Sequence, residues 1–230
     1  MDISRAFSFV TEDEQWVSKI LLGGVIMLIP IIGPFFLLGY MLTIAEQVGL
    51  DNPRPLPTWS EFGTLLMKGL YFFVISLVYL IPAFVLMGIW LCVGWLSASS
   101  GDSETGGRFI GVLSCIFIPL VFILSLGSSA LSIMATARYL VAGQLAAAFD
   151  FGPVVGLLRK HAGLWLMWLL VSILASFLAS LGIIACGVGV LFTSFYAYCV
   201  QGHGLGQIVK AIRAGSDSDS IPPTPLTIQL

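Results

Sequence analysis

The chain has 230 residues, 58% of them hydrophobic and 10% charged, with a mean hydropathy of +1.01. A soluble domain carries roughly 25% charged residues, so this composition excludes one and specifies an integral membrane protein. A formal net charge of −2 offers nothing to a polyanion, and nucleic acid is excluded as a partner.

The first residues, MDISRAFSFVTEDEQWVSK, carry Asp2, Glu12, Asp13 and Glu14. A signal peptide opens with positive charge and ends in a small-residue cleavage site, so the run that follows is expected to stay as structure. Residues 1–18 read as a short surface helix, with Phe7, Phe9, Val10 and Trp16 touching lipid headgroups and the acidic group at 12–14 in water.

Asp, Glu, Lys and Arg then interrupt the chain so as to leave four charge-free runs, 20–45, 69–101, 109–137 and 161–209, of 26, 33, 29 and 49 residues. A helix crosses the hydrocarbon with roughly 20 residues. The second and third runs are therefore one span each, and the fourth must fold back, with Gly182, Gly187 and Gly189 marking the turn.

The first run is broken. Pro30 and Pro34 flank Gly33, and each proline removes a helical hydrogen bond and clashes with the preceding turn. Either the run crosses once with a kink, or two half-helices enter and leave on one side, where protein must cover the freed backbone. Re-entry puts Arg5, Lys19, Arg54, Lys68, Arg138, Arg159, Lys160, Lys210 and Arg213 on one side and only Arg108 opposite; a crossing moves Arg5 and Lys19 to join Arg108. Positive residues collect on the cytoplasmic side, and nine against one fits better than seven against three. The hairpin is favoured, and the carboxyl terminus is cytoplasmic in both arrangements.

Pro53, Pro55 and Pro57 keep residues 51–57 out of helix. Thr58 and Glu61 then read as a capping box, starting an amphipathic helix over 58–68 on the membrane surface, with Trp59, Glu61 and Lys68 at the water boundary. Pro82 predicts a kink in the second run. Residues 97–108, SASSGDSETGGR, read as an outer connector.

The third run continues as ALSIMATARYLVAGQLAAAF, a helix that Asp150, Gly152 and Pro153 end, and a short helix from Val154 to Lys160 leads into the fourth run. There Ser172, Ser176 and Ser180, with Ala175 and Ala179 alongside, form a small-residue stripe suited to close helix packing. Cys92, Cys115, Cys186 and Cys199 lie in apolar runs without C-x-x-C spacing and read as buried free thiols, although Cys92 and Cys115 are at a depth where a disulfide is geometrically conceivable.

These elements specify an all-α membrane protein: a polytopic helical bundle with four full spans plus a broken or re-entrant first hydrophobic segment and interfacial amphipathic helices. The hydrophobic segments fall at about 20–45, 69–97, 109–131, 162–182 and 186–205. Residues 1–213 form a single domain, and 214–230, Ser/Asp/Pro-rich, form a disordered cytoplasmic tail.

The stretches IPIIGPFFLLGYMLTIAEQV and LPTWSEFGTLLMKGLYFFVISLVYLIPA, then ATARYLVAGQLAAAFDF and GLLRKHAGLWLMWLL, resemble the bacterial and archaeal membrane family known as domain of unknown function 4013. The resemblance covers roughly residues 1–210, with an LP-x-W…G-x-x…G pattern as its most specific part. It implies a multi-pass architecture and supplies no activity or catalytic residue.

Chemistry inside a membrane requires ionisable groups at depth, and none of the four runs carries one away from its ends. His161 and His203 sit at the start and finish of the last hairpin with Cys199 one turn before His203, one ligand short of a closed zinc site. Gly202, Gly204 and Gly206 follow no strand and read as a flexible helix end rather than a nucleotide loop. No catalytic residue, cofactor or metal is assigned. Pro30, Gly33, Pro34, Glu46, Glu61 and Arg138 form the candidate polar and hinge cluster; of the polar groups, Glu46, Gln47, Glu61 and Arg138 are expected to gather where the broken run meets the cytoplasmic surface, as a salt-linked cap or ligand site. The function expected is that of a non-enzymatic assembly, partner-binding or regulatory component of the plasma membrane, its partners the lipid bilayer and another membrane protein or a second copy. The alternative is a small-solute transporter or channel with its site at the broken first helix.

Overall fold

A computed structural model describes residues 2–99, 103–184 and 189–216. Among these, all regular structure is helical: α1 (Ile3–Ser8), α2 (Trp16–Ile26), α3 (Ile32–Gly49), α4 (Phe62–Ser99), α5 (Ser103–Ala142), α6 (Phe151–Leu181) and α7 (Gly189–Ser216), with short 3-10 turns between some of them. The chain forms two compact units, one from residues 1–75 and 133–230 and one from 76–132. The sequence alone suggested a single domain over 1–213.

Among the described residues, four helices are long and apolar enough to cross a membrane: α3, α4, α5 and α6. α7 is longer than α3 but carries Gln201, His203, Gln207 and Lys210 from its middle onward. It earns its place by packing, because its Phe195, Cys199, Leu205 and Ile208 are fully buried.

The proline break divides the first run into α2 and α3. Ile31, between Pro30 and Ile32, sits at φ 68, a left-handed conformation that a β-branched side chain adopts only under strain of about 1–3 kcal/mol. A Cβ on Gly33 would lie 2.4 Å from the carbonyl oxygen of Ile26, so the turn is closed tightly enough to require glycine there. Direction follows from the contacts with α7. On α3, Met41, Ala45 and Gly49 meet Gly202, Gly206 and Val209 in parallel order, whereas on α2 Gly24 and Gly23 meet Phe192 and Phe195 in reverse order. α2 and α3 are therefore antiparallel, and the first run is a hairpin.

The end of this hairpin collects the charges. Lys19 at the start of α2 donates to Leu56 O just beyond α3, Lys210 pairs with Asp51, Arg213 donates to Leu140 O, and Asp2 N–H donates to Gln207 Oε1. The start of the chain and the end of α7 thus share one end of this unit.

The bend around Pro57 is held by the residues of the LP-x-W pattern. The buried Leu56 offers its carbonyl to Lys19 Nζ at 3.1 Å. Tyr40 OH donates to Pro57 O at 3.0 Å, and Trp59 stacks on the Tyr40 ring at 4.7 Å. Trp59 is packed over the core here, not spread at a headgroup boundary. Residues 58–61 form a turn, Thr58 Oγ1 bonds to Ser60 Oγ, and α4 begins at Phe62 and runs unbroken past Gly69. The separate surface helix over 58–68 is not formed, because Lys68 finds its counter-charge inside the protein.

Other expectations are corrected in the same way. Phe9 and Val10 are in the core, not at the headgroups, since Tyr196 OH donates to Phe7 O and ties the segment to α7. Residues 97–99 and 103–108 are helical, leaving 100–102 of the expected connector outside the described residues. α5 ends at Gly143, whose φ of 69 terminates the helix seven residues before Asp150. α6 bends at His161, where φ −118 and ψ 22 leave the helical region, so the short helix ending at Lys160 is real. Val171 and Ala175 form the buried face of α6, packed with Ala197 and Val200 of α7. Ser176 and Ser180 are exposed and bond back to carbonyls of their own helix, so of the three serines only the half-buried Ser172 stays with the alanine side of the stripe.

Cys92 and Cys115 are free and exposed, and Cys199 is free and buried. Cys186, Gly187 and residues 217–230 of the expected tail lie outside the described residues, while α7 carries 214–216 as helix.

Candidate functional site

Three features have functional potential, and they arise from different parts of the sequence. The first is a buried ion pair. Glu46, on the last turns of α3, and Lys68, on the first turns of α4, face each other as their helices cross, with the side chains 12% and 11% exposed. Thr43 Oγ1 lies 3.5 Å from Lys68 Nζ, and Tyr71 and Tyr139 meet edge to face at 5.9 Å nearby on α4 and α5. The crossing is set by glycine: a Cβ on Gly39 would meet Leu65 O at 1.7 Å, and one on Gly69 would meet Phe35 O at 1.8 Å. Only backbones stripped of side chains approach so closely.

The second is a cleft of about 430 Å³ at the charged end, formed by α1, the bend after α3, and α7. Phe9, Val48 and Leu164 supply its apolar wall, and Arg5, Glu12 and His203 are among its polar residues. His203 stacks on Phe9 at 4.6 Å, and its Nδ1 is 3.1 Å from Gln207 Nε2. Asp13, beside the cleft, is pushed up by burial, but Lys19 at 2.7 Å and the Gln15 amide outweigh that and hold its carboxyl below the ordinary aspartate value.

The third is the surface of the 76–132 unit. Trp90 stacks on Phe117 at 4.3 Å and the Ser76 and Ser132 hydroxyls bond at 3.1 Å, which join α4 to α5 within it. Beyond these contacts the unit exposes Phe84, Ile89, Ile116 and Phe122. A Cβ on Gly88, Gly94, Gly111 or Gly127 would meet nothing within 4 Å.

The residues singled out from sequence do not converge. Pro30, Gly33 and Pro34 form the turn at one end of α3, and Glu46 lies near the other, some 14 residues or ~21 Å along the helix. Glu61 is exposed ahead of α4. Arg138 turns instead to the segment between α5 and α6, with Nη2 at 3.0 Å from Asp150 and Nη1 at 2.7 Å from Ala147 O. Lys68 was read as a boundary anchor, and its partnership with Glu46 has no signal in local spacing. A lysine and a glutamate at the facing ends of two apolar runs joined by a Pro-rich bend was the available clue. Among the described residues no group of three or more His, Cys, Asp or Glu side chains is placed to hold a metal ion.

The family model described as "Protein of unknown function (DUF4013)" matches residues 22–188, more than half of the chain. No curated protein and no solved structure matches it. The match spans both α3 and α4, hence the ion pair, and leaves Arg5, Glu12 and His203 of the cleft outside.

Proposed function

The chain belongs to the family of proteins of unknown function DUF4013, and from that premise we propose that it is a non-enzymatic membrane component that binds another membrane protein or a second copy of itself through the 76–132 unit. The supporting observation is the contrast between two sets of glycines. Gly23, Gly39, Gly69, Gly202 and Gly206 each sit where another helix of the chain presses against them, whereas Gly88, Gly94, Gly111 and Gly127 of the 76–132 unit face open space, as Gly63, Gly152, Gly156 and Gly163 do outside it. In lipid, small residues permit close helix association where apolar surface alone gives no driving force. The ionisable groups of the interior are meanwhile taken up by one another, Glu46 by Lys68 and Asp13 by Lys19.

A photoreactive residue at Ile89 or Ile116 is expected to yield discrete protein adducts in intact cells. Adducts with lipid alone at both positions would end this reading.

In this reading the bilayer is the plasma membrane and the charged end is cytoplasmic; the gathering of basic residues at that end supports the orientation. In a chain whose native cysteines are replaced by alanine, Asp2→Cys should label only from the cytoplasmic face and Ser103→Cys only from outside. The opposite pattern reverses the orientation.

A second reading, a small-solute transporter or channel, draws on the break at Ile31 and on the ion pair between two spanning helices. The cleft, however, is lined from the other end of α3 and by none of residues 30–34.

A further inference from the structure

We propose that the cleft at the charged end binds a zwitterionic headgroup of the phosphoethanolamine class, a phosphate bearing a primary ammonium. Its volume, about 430 Å³, is within the usual range for small-molecule sites. What decides the ligand is the charge left over once internal partners are subtracted.

Lys210 is neutralised by Asp51, and the Asp2 carboxylate accepts from Arg5 N–H as the cap of α1. The Arg5 guanidinium and the Glu12 carboxylate remain, both exposed and lining the cleft, and neither makes an ion pair among the described residues; the Asp2 carboxylate, capped by an uncharged amide, keeps its charge and lines the cleft as a second negative group. One positive and two negative groups complement a zwitterion, the cation facing the phosphate and the carboxylates the ammonium. A simple anion would also meet Glu12, and a simple cation Arg5.

His203 lines the cleft from a buried position. Asp2 N–H donates to Gln207 Oε1 at 2.6 Å, which fixes the orientation of the amide. Gln207 Nε2 then donates to Asp2 O at 2.9 Å and faces His203 Nδ1. Nδ1 must accept, so the neutral ring carries its proton on Nε2. Guanidinium and imidazole N–H groups suit phosphate oxygens.

A primary ammonium is preferred to a quaternary one for a reason also visible in the cleft. Quaternary ammonium is held over open aromatic faces, but the Phe9 face is occupied by the stacked His203 ring. Glu12 can instead accept hydrogen bonds that only N–H groups donate. The apolar wall of Phe9, Val48 and Leu164 accommodates the glycerol and first methylenes of a lipid, and equally leaves room for the free headgroup.

The test uses the full-length chain in detergent, with phosphatidylethanolamine, phosphatidylcholine or phosphatidylglycerol added to the micelles and retention read by native mass spectrometry. Free phosphoethanolamine is titrated separately by calorimetry. Phosphatidylethanolamine should be retained about tenfold better than the other two, with Arg5→Gln and Glu12→Gln each reducing retention about tenfold, the effect of losing one charge-assisted contact. Both side chains are exposed, and an unchanged melting curve for each variant separates lost binding from misfolding. Retention of lipid without binding of free headgroup identifies a membrane source, and the reverse a soluble one; either supports the shared chemistry. Equal retention of all three lipids with no response to free headgroup, unaltered binding in both variants, or glycine binding as well as phosphoethanolamine would overturn the proposal.

Discussion

Gly39→Ala and Gly69→Ala are each expected to destroy the folded bundle in mild detergent, seen as loss of the monodisperse peak in size-exclusion chromatography after a brief heat step. Carbon to carbonyl-oxygen contacts are comfortable at roughly 3.3–3.6 Å, while the added Cβ would start 1.7 Å from Leu65 O or 1.8 Å from Phe35 O. The obstruction is backbone, so no side chain can rotate away, and α3 and α4 must separate. Separation disturbs both the stacking of Tyr40 on Trp59 and the meeting of Glu46 with Lys68. Overpacking typically costs about 1–3 kcal/mol and occasionally more, and here the upper end or beyond is expected. Helix propensity pulls the other way, since alanine is favoured over glycine by about 1 kcal/mol in a helix. Gly88→Ala, with nothing within 4 Å, isolates that term and should leave the peak unchanged or sturdier. If Gly39→Ala behaved like Gly88→Ala, the close crossing of α3 and α4 would be wrong.

The sequence made this crossing only partly legible, and the reason is physical. Apolar runs, prolines and the one-sided basic residues report on single helices and on the side of the membrane their ends occupy. They were enough to favour the hairpin at Pro30–Pro34, and the parallel and antiparallel contacts of α3 and α2 with α7 bear that out. Position along the chain says less about which face a side chain turns inward. Phe9 and Val10 look like headgroup anchors until the Tyr196 hydroxyl fixes their segment against α7. Serine and alanine are equally small, yet Ala175 packs inward and Ser176 bonds its own helix and stays exposed. Lys68 is the most instructive case. A lone lysine beside an apolar run is conventionally placed in water, which cut α4 short at residue 69 on paper. Its charge is compensated from 22 residues earlier in the chain, a relation without periodicity, and α4 consequently starts at Phe62.

That compensation leads to the second large effect. Replacing only Glu46 by Met, or only Lys68 by Met, leaves a buried charge without its counter-ion, and each single variant is expected to lose about 3–5 kcal/mol of stability. Thr43 is too weak a partner to hold Lys68 alone, at 3.5 Å and without charge. The double variant removes both charges and puts two flexible apolar chains of similar length into the crossing, and is expected to recover most of the loss. Melting curves of the four proteins form a double-mutant cycle whose coupling term measures the pair directly. Full recovery with unaltered partner adducts at Ile89 and Ile116 would assign the pair to architecture. Recovery of stability with loss of those adducts, or with loss of solute movement in vesicles, would mean that the buried charges serve the work of the protein and not its folding. Strictly additive single effects would show that Glu46 and Lys68 are not partners at all, and the account of why α4 starts early would fall with them.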